Sequence, residues 1–168
     1  MGKRVIVQND PVEGTDKHNV TGTGPNPAAP PPTAPYKGIG DFDYVGKITA
    51  QLSGFVSIGG KAVALTTSKS SLNPGESAPP GGKHSGPQGK NFVVAPGSTA
   101  TTPTTATLTI TDPIGEGKPS ANAGSRCVTI GGVAILLDGD KIDTCDGMST
   151  PMNSTVTAKE QDFVSCSE

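Results

Sequence analysis

The chain has 168 residues, among them 23 glycines, 16 prolines and no tryptophan, and hydrophobic residues make up 32% of it. Glycine and proline disfavour helix interiors and no long stretch carries an apolar stripe at helical spacing, so we expect a mostly β fold of short strands joined by turns. A formal net charge of -2, from 13 basic and 15 acidic residues, offers no basic surface for nucleic acid. The length suits a single domain spanning residues 1–168.

The beginning of the chain has no pattern of an export signal. Only three apolar residues, 5–7, follow the start MGKR, far fewer than a signal peptide needs, and no segment reaches membrane-spanning length. We therefore expect the protein to be made in the cytoplasm without a signal peptide. Farther along, residues 25–35 read PNPAAPPPTAP, in which most positions cannot donate to a strand ladder, and this predicts an extended connection or strap.

One short pattern occurs twice. Residues 56–65 read VSIGGKAVAL and residues 128–137 read VTIGGVAILL, so both match V-x-I-G-G-x-A-x-x-L at an offset of 72 residues (128 minus 56). A Gly-Gly pair supplies the positive φ angles of a two-residue hairpin turn, so each copy predicts an antiparallel hairpin. Two such hairpins predict two pseudo-symmetric repeats, joined by long Gly/Pro-rich loops. Residues 148–168, after the second copy, are expected to be a short C-terminal tail.

Histidines and a cysteine lie in the loops beside these repeats. Aligning EGTDKHNVTG with DGDKIDTCDG places His18 and Cys145 in equivalent turns, and His84 lies in the turn-rich PPGGKHSG. A tetrahedral zinc site needs about four N or S ligands, and the candidates are His18, His84, Cys145 and a fourth group. The alternative is that the histidines are ordinary solvated side chains and that the cysteines are small buried hydrophobes.

Catalysis has little support in the residues. Asp140 and Asp143 form an acidic pair, but GDKID is also an ordinary turn sequence. Nothing resembles a nucleophile elbow, and two histidines leave few ways to build a triad. We therefore expect that the protein is not an enzyme.

The order of these segments resembles the PAAR-repeat family and its PAAR-like relatives, the tip proteins of contractile injection systems. The resemblance is carried by EGTDKHNVTGTG, PAAPPPTAPYKG, VSIGGKAVAL, NPGESAPPGGKHSG and VTIGGVAILLDGDKIDTCDG, which together touch most of residues 12–147. It implies a small cone of β-hairpins whose base caps the trimeric β-helical spike, a VgrG-like protein, of a type VI secretion system, extracellular injection particle or phage-tail-like particle. The tip would sharpen the spike for membrane puncture, with the target membrane as a transient partner and effector cargo as a further one.

The same resemblance implies a metal near the vertex of the cone, zinc or alternatively iron. His18 and Cys145 match the family's ligand turns best and His84 follows. The resemblance implies Cys127 or Cys166 as the fourth ligand, with water or another group as a further alternative, and we favour Cys127 because it lies within the repeat.

Two other classes of protein remain open from the residues. A secreted or surface β-rich binding module would use the threonine-rich stretch 99–111 as its contact face and would need no metal. A small metal-dependent hydrolase would require an open coordination position and a nearby base, and the sequence supplies no obvious base.

Overall fold

The computed structural model of the protein describes residues 2–26, 28, 30–72, 85–111, 116–144 and 153–166, and for residues 85–88 the backbone only. Antiparallel strands dominate these segments and no α-helix occurs in them, which confirms the predicted mostly β fold. A single turn of 3-10 helix, Thr105–Thr107, is the helical element described. No helix within these ranges is long and apolar enough to cross a membrane.

The described strands are short apart from three. In chain order they are β1 (Lys3–Arg4), β2 (Pro11–Pro25), β3 (Thr33–Ala50), β4 (Ser57–Ile58), β5 (Lys61–Ala62), β6 (Lys69–Leu72), β7 (Ser85–Val94), β8 (Thr109–Ile110), β9 (Glu116–Pro119), β10 (Thr129–Ile130), β11 (Val133–Ala134), β12 (Lys141–Asp143), β13 (Ser154–Val156) and β14 (Ser165–Cys166).

Six of these strands close into a ring. β2 pairs with β3, and the ring continues through β6, β9, β12 and β13 back to β2, always antiparallel. Closure gives each ring strand a neighbour on both sides, so the backbone groups of a chain with few large apolar residues are satisfied by ladders. We call these six strands the ring.

Below the ring, three short segments form a triangle, which with its three hairpins we call the base. Residues 5–7, 63–65 and 135–137 are joined by the bridges Val5↔Leu137, Val7↔Val63 and Leu65↔Ile135. Their middle residues form a closed cycle of hydrogen bonds: Ile6 N–H to Leu136 O (3.0 Å), Leu136 N–H to Ala64 O (2.9 Å) and Ala64 N–H to Ile6 O (2.9 Å). Each segment donates to one neighbour and accepts from the other, so the base has pseudo-three-fold symmetry.

Both sequence repeats are hairpins of this base, as predicted. β4 pairs with β5 and β10 with β11, in registers that match residue for residue at the offset of 72. The glycines at both turns have positive φ, 57° and 80° at Gly59 and Gly60 and 61° and 83° at Gly131 and Gly132. That combination matches the tight turn that joins twisted antiparallel strands.

The structure adds a third hairpin, made from the two ends of the chain. β1 pairs with β14, so that Lys3 lies opposite Cys166 and Arg4 opposite Ser165. This pairing precedes residues 5–7 as the other two hairpins precede residues 63–65 and 135–137. Residues 154–156 and 165–166 are therefore integral strands, and the expectation of a simple C-terminal tail is wrong for them.

Each hairpin and the segment that follows it form one unit, and the turns that precede the three hairpins have the same pattern of hydrogen bonds. Ser53 Oγ accepts hydrogen bonds from the N–H groups two and three residues on, and Ser125 Oγ does the same 72 residues later. In the third unit Gln161 Oε1 takes this role, accepting from the N–H groups of Phe163 and Val164. Serine and glutamine do not look alike in a sequence, which is why a pattern search finds two repeats where the fold has three.

The hairpin of β2 and β3 extends far beyond the ring. β6 and β13 flank the part next to the base, β7 and β8 flank the next part, and the strands pair as far as Pro25 and Thr33. The proline-rich stretch 25–35 is thus the connection of this hairpin, with both of its ends inside strands.

The interior has three apolar clusters along this axis. One lies in the base, around Val5, Leu65 and Ile135. A second fills the ring, around Ile6, Tyr44 and Leu136. The third lies in the extended part of the hairpin and contains Val20, Tyr36, Phe42, Leu108 and Ile110.

Candidate functional site

A buried polar layer separates the ring cluster from the cluster in the extended hairpin. Along β2, inward-facing Val12 belongs to the first of these and Val20 to the second, with Asp16 and His18 between them on the same face. Both polar side chains are fully buried, and His18 Nε2 lies 3.7 Å from Asp16 Oδ2. Burying a carboxylate and an imidazole costs free energy unless further groups compensate, so this layer is a candidate functional site.

Asp16 is held from the ring side by hydrogen bonds from two residues, Thr144 and Asn153. Its Oδ1 accepts hydrogen bonds from Thr144 Oγ1 and, at 2.8 Å, from Asn153 Nδ2. Asn153 also donates to Thr15 O and accepts from Thr144 N–H, while Thr144 Oγ1 lies 2.8 Å from Ser154 Oγ. These bonds fix the carboxylate so that its other oxygen faces the imidazole.

His18 is oriented by its ring contacts. It packs edge to face against Phe42, with ring centroids 5.8 Å apart, and Phe42 in turn contacts Phe92. The residue lies between two ladders, because β13 pairs with β2 as far as Gly14 and β8 begins to pair at Val20.

Two of the predicted ligands, His84 and Cys145, lie outside the described residues. Each adjoins a described residue near this layer: Cys145 follows Thr144, whose hydroxyl binds Asp16, and His84 precedes Ser85, which pairs with Asp43. Within the described part of the chain, no group of three or more His, Cys, Asp or Glu side chains is arranged to hold a metal ion.

The two cysteines proposed as a fourth ligand are in the base and not beside His18. Cys127 is exposed next to the Ser125 turn, and Cys166 packs against the base cluster with its Sγ 3.8 Å from Ser125 Oγ. His18 is eight residues along β2 from Asp10, which caps a turn of the base, and that corresponds to about 26 Å of strand. Ligands of one zinc ion lie about 2.0–2.3 Å from it, so neither cysteine can share a metal with His18.

The structure supplies a reference point in each of the two loops that were aligned by sequence. Asp10 and Asp140 are equivalent, because each accepts a bond from the backbone N–H three residues before it, of Val7 and Leu137 respectively. His18 is eight residues after Asp10, whereas Cys145 is five residues after Asp140. Counted along the sequence from these equivalent carboxylates, His18 and Cys145 have different offsets, and Cys145 itself lies outside the described residues.

Sequence reasoning missed Asp16 as a candidate. A signal was present, since residues i and i+2 of a strand share a face and Asp16 precedes His18 by two. The segment EGTDKHNVTG was interpreted as a loop, and in a loop that spacing has no such meaning.

A second feature is the outer face of the base. Phe55, Cys127 and Phe163 are equivalent under the pseudo-three-fold symmetry, each lying two residues after the capping residue of its turn. All three are exposed, Phe55 to 78% and Phe163 to 67%, and Val128 beside Cys127 is also exposed. The two exposed phenylalanines, at symmetry-related positions, make the outer face of the base a candidate contact surface.

Comparison of the chain with protein-family models, with curated proteins and with solved structures gives no significant match in any of the three.

Proposed function

We propose that this protein is a tip protein that caps the trimeric spike of a contractile injection system with its base. The observation that supports this most directly is the cycle of hydrogen bonds among Ile6, Ala64 and Leu136. A single chain that presents nearly the same structure three times around an axis can contact three identical subunits at once. A monomeric partner would use one third of that surface.

The outer face of the base has the chemistry of such a contact. Phe55 and Phe163 lie over the neighbouring glycine turns, since a Cβ at Gly131 would be 3.9 Å from the Phe55 ring and one at Gly59 3.8 Å from the Phe163 ring. Large exposed aromatic side chains held against rigid turns are typical of residues that dominate interface energies. Three partner subunits would each bury one of these positions.

The other end of the molecule suits a mechanical role. The number of strands falls from six in the ring to four where β8, β2, β3 and β7 lie side by side, and then to the hairpin itself. Fifteen residues of β2 are paired with β3, so a force along the axis acts on a continuous ladder. Such a narrowing, stiff element is suited to puncturing a membrane.

We propose further that His18 is a ligand of a structural zinc ion, with His84 and Cys145 as further ligands. The donor set supports this assignment in part: a fully buried imidazole with a fixed carboxylate 3.7 Å away can supply one nitrogen and one oxygen to a metal. A closed site of this kind ties strands together where the apolar clusters are interrupted. No catalytic step is proposed.

The function is tested by assembly with a purified trimeric β-helical spike. Native mass spectrometry is expected to show one chain per spike trimer. Phe55→Asp and Phe163→Asp should weaken binding roughly tenfold or more, because each places a charge in a buried contact. Val93→Asp is the matched control, since Val93 is exposed to 63% but lies on β7, away from the base.

Two results would overturn the proposal. Wild-type protein that forms no complex with three spike subunits would exclude the capping role and favour a β-rich binding module. Equal losses from Val93→Asp and from the base substitutions would show that the outer face of the base is not the contact.

A further inference from the structure

One side of the base carries a basic cleft of about 300 Å³. It lies where the hairpin of the chain ends meets the turns around Ser125 and Asp140. The residues that line it include Lys3, Gly124, Arg126, Asp140 and Lys141.

Basic residues outnumber acidic ones among the described residues that line this cleft. Three basic residues, Lys3, Arg126 and Lys141, line it together with one acidic residue, Asp140, and Lys141 Nζ donates a hydrogen bond to Thr155 Oγ1. Asp140 Oδ2 accepts hydrogen bonds from the N–H groups of Gly124 and Leu137, both at 2.8 Å. This oxygen therefore binds the backbone of the turn. The chain as a whole has a net charge of -2, which makes a local excess of positive charge more informative.

The pseudo-three-fold symmetry supplies two comparison sites. The pseudo-three-fold rotation superposes each corner of the base on the next. At the second corner, the residues equivalent to Lys3, Arg126 and Lys141 are Lys61, Asp162 and Pro11. The carboxylate of Glu160 binds Lys61 at that corner. Rotation by two units gives Val133, Gly54 and Lys69, of which only Lys69 is charged, and Lys69 pairs with Glu116 at 3.0 Å. Among the three corners of the described base, the first is the one with three cations.

We propose that this cleft binds a carboxylate side chain of the trimeric partner, an inference that rests on the proposed function. Glu160 shows that such a corner accepts a carboxylate when the chain itself provides one. Arg126 adjoins Cys127, which lies on the outer face of the base, so an acidic residue at the rim of a docked subunit comes within its reach. The guanidinium group binds carboxylates in a bidentate manner, which gives direction as well as attraction.

A consequence is that the three partner subunits make different ionic contacts with the base. Three identical carboxylates would meet a basic cleft at one corner, the Lys61–Glu160 pair at the second and a largely neutral surface at the third. One strong ionic contact per complex is expected, superimposed on three apolar contacts.

The test compares charge-reversal variants in binding to the purified spike trimer. Arg126→Glu and Lys141→Glu should each weaken binding about tenfold at low salt, and the difference from wild type should shrink as sodium chloride screens the pair. Lys37→Glu makes the same change in charge on the exposed side of β3, far from the base, and should bind like wild type.

A charge swap then identifies the partner group. Asp and Glu residues at the docking end of the spike are changed singly to Lys, and one of them should restore binding of Arg126→Glu but not affect Lys37→Glu. If Arg126→Glu and Lys141→Glu assemble on the trimer with wild-type affinity at low salt, this inference fails while the proposed function stands. If wild-type protein does not assemble on the trimer, the proposed function fails.

Discussion

Asp16 and His18 face each other across 3.7 Å inside the molecule, two residues apart on one face of β2, and neither is accessible to solvent. Asp16 is held by Thr144 and Asn153 on the side of the ring. His18 is held by Phe42 on the other side. Two polar side chains between two apolar clusters form a layer that packing alone does not require.

The first prediction concerns metal content. His18→Ala should lose about one zinc per chain and unfold at a lower temperature, because a closed metal site contributes to folding free energy. Elemental mass spectrometry on His18→Ala, His84→Ala and Cys145→Ala, with thermal denaturation, measures both quantities and distinguishes zinc from iron. Cys127→Ser is the control and should keep its metal, since Cys127 is in the base. Metal-free wild-type protein would disprove the assignment.

A second prediction concerns the buried carboxylate of Asp10, in the unit made from the two ends of the chain. Asp10 is fully buried; its Oδ2 accepts from Val7 N–H, and its Oδ1 from the N–H groups of Lys159 and Glu160. Asp10→Ala leaves three donors without their acceptor and should lower the free energy of unfolding by about 3 kcal/mol or more. Urea denaturation measures this.

Asp43→Ala is the matched control for Asp10→Ala. Asp43 is about half exposed and pairs with Lys90 at the surface, so its loss should change stability by less than about 1 kcal/mol. Similar losses in both variants would show that Asp10 is not a special structural residue.

Third, the ring should not tolerate a side chain at Gly14. A Cβ there would lie 2.0 Å from Ser154 Oγ and 2.5 Å from Asn153 O, so β13 would have to move. Gly14→Ala should cost about 1 to 3 kcal/mol, as overpacking does elsewhere. Gly54→Ala has nothing within 4 Å of the new atom and should change the urea midpoint little. A stable Gly14→Ala protein would contradict the close approach of β2 and β13.

The fourth prediction is a small pH effect. The hydrogen bond and the charge of Lys61 lower the pKa of Glu160 below its ordinary value of 4.5. The resulting stabilisation is present above pH 4.5 and is lost as the pH falls through the lowered pKa of the folded state. Both side chains are about one third exposed, so the effect should stay below about 1 kcal/mol.

Urea midpoints of wild type and Glu160→Gln between pH 3 and 7 measure this effect. The two curves should differ most at neutral pH and converge in acid. A difference that grows as the pH falls would have the wrong sign for this ion pair.

Local sequence predicted the base better than the ring. The hairpins at 56–65 and 128–137 depend on glycines with positive φ and on alternating apolar residues, both of which are visible along the chain. β2 was not predicted, because EGTDKHNVTGTG is rich in residues that usually form turns.

Only the folded structure shows why two positions of β2 are occupied by glycine. A Cβ at Gly14 or Gly24 would fall within 2.0 Å of Ser154 Oγ or Thr102 O, respectively. These positions are glycine because neighbouring chain segments leave no space, not because the chain turns. The close packing of distant chain segments against β2 cannot be predicted from a local sequence pattern.

By itself, the sequence determined the mostly β character of this protein, its two Gly-Gly hairpins and His18 as a residue of interest. Each of these depends on interactions between residues close together in the chain, such as a turn that needs positive φ. The tertiary structure alone decided that the chain ends form a third hairpin, that Cys127 and Cys166 lie away from His18, and that Asp16 lies beside it. Those facts depend on which distant strands meet, and that is set by the closure of the ring and by packing among all its members.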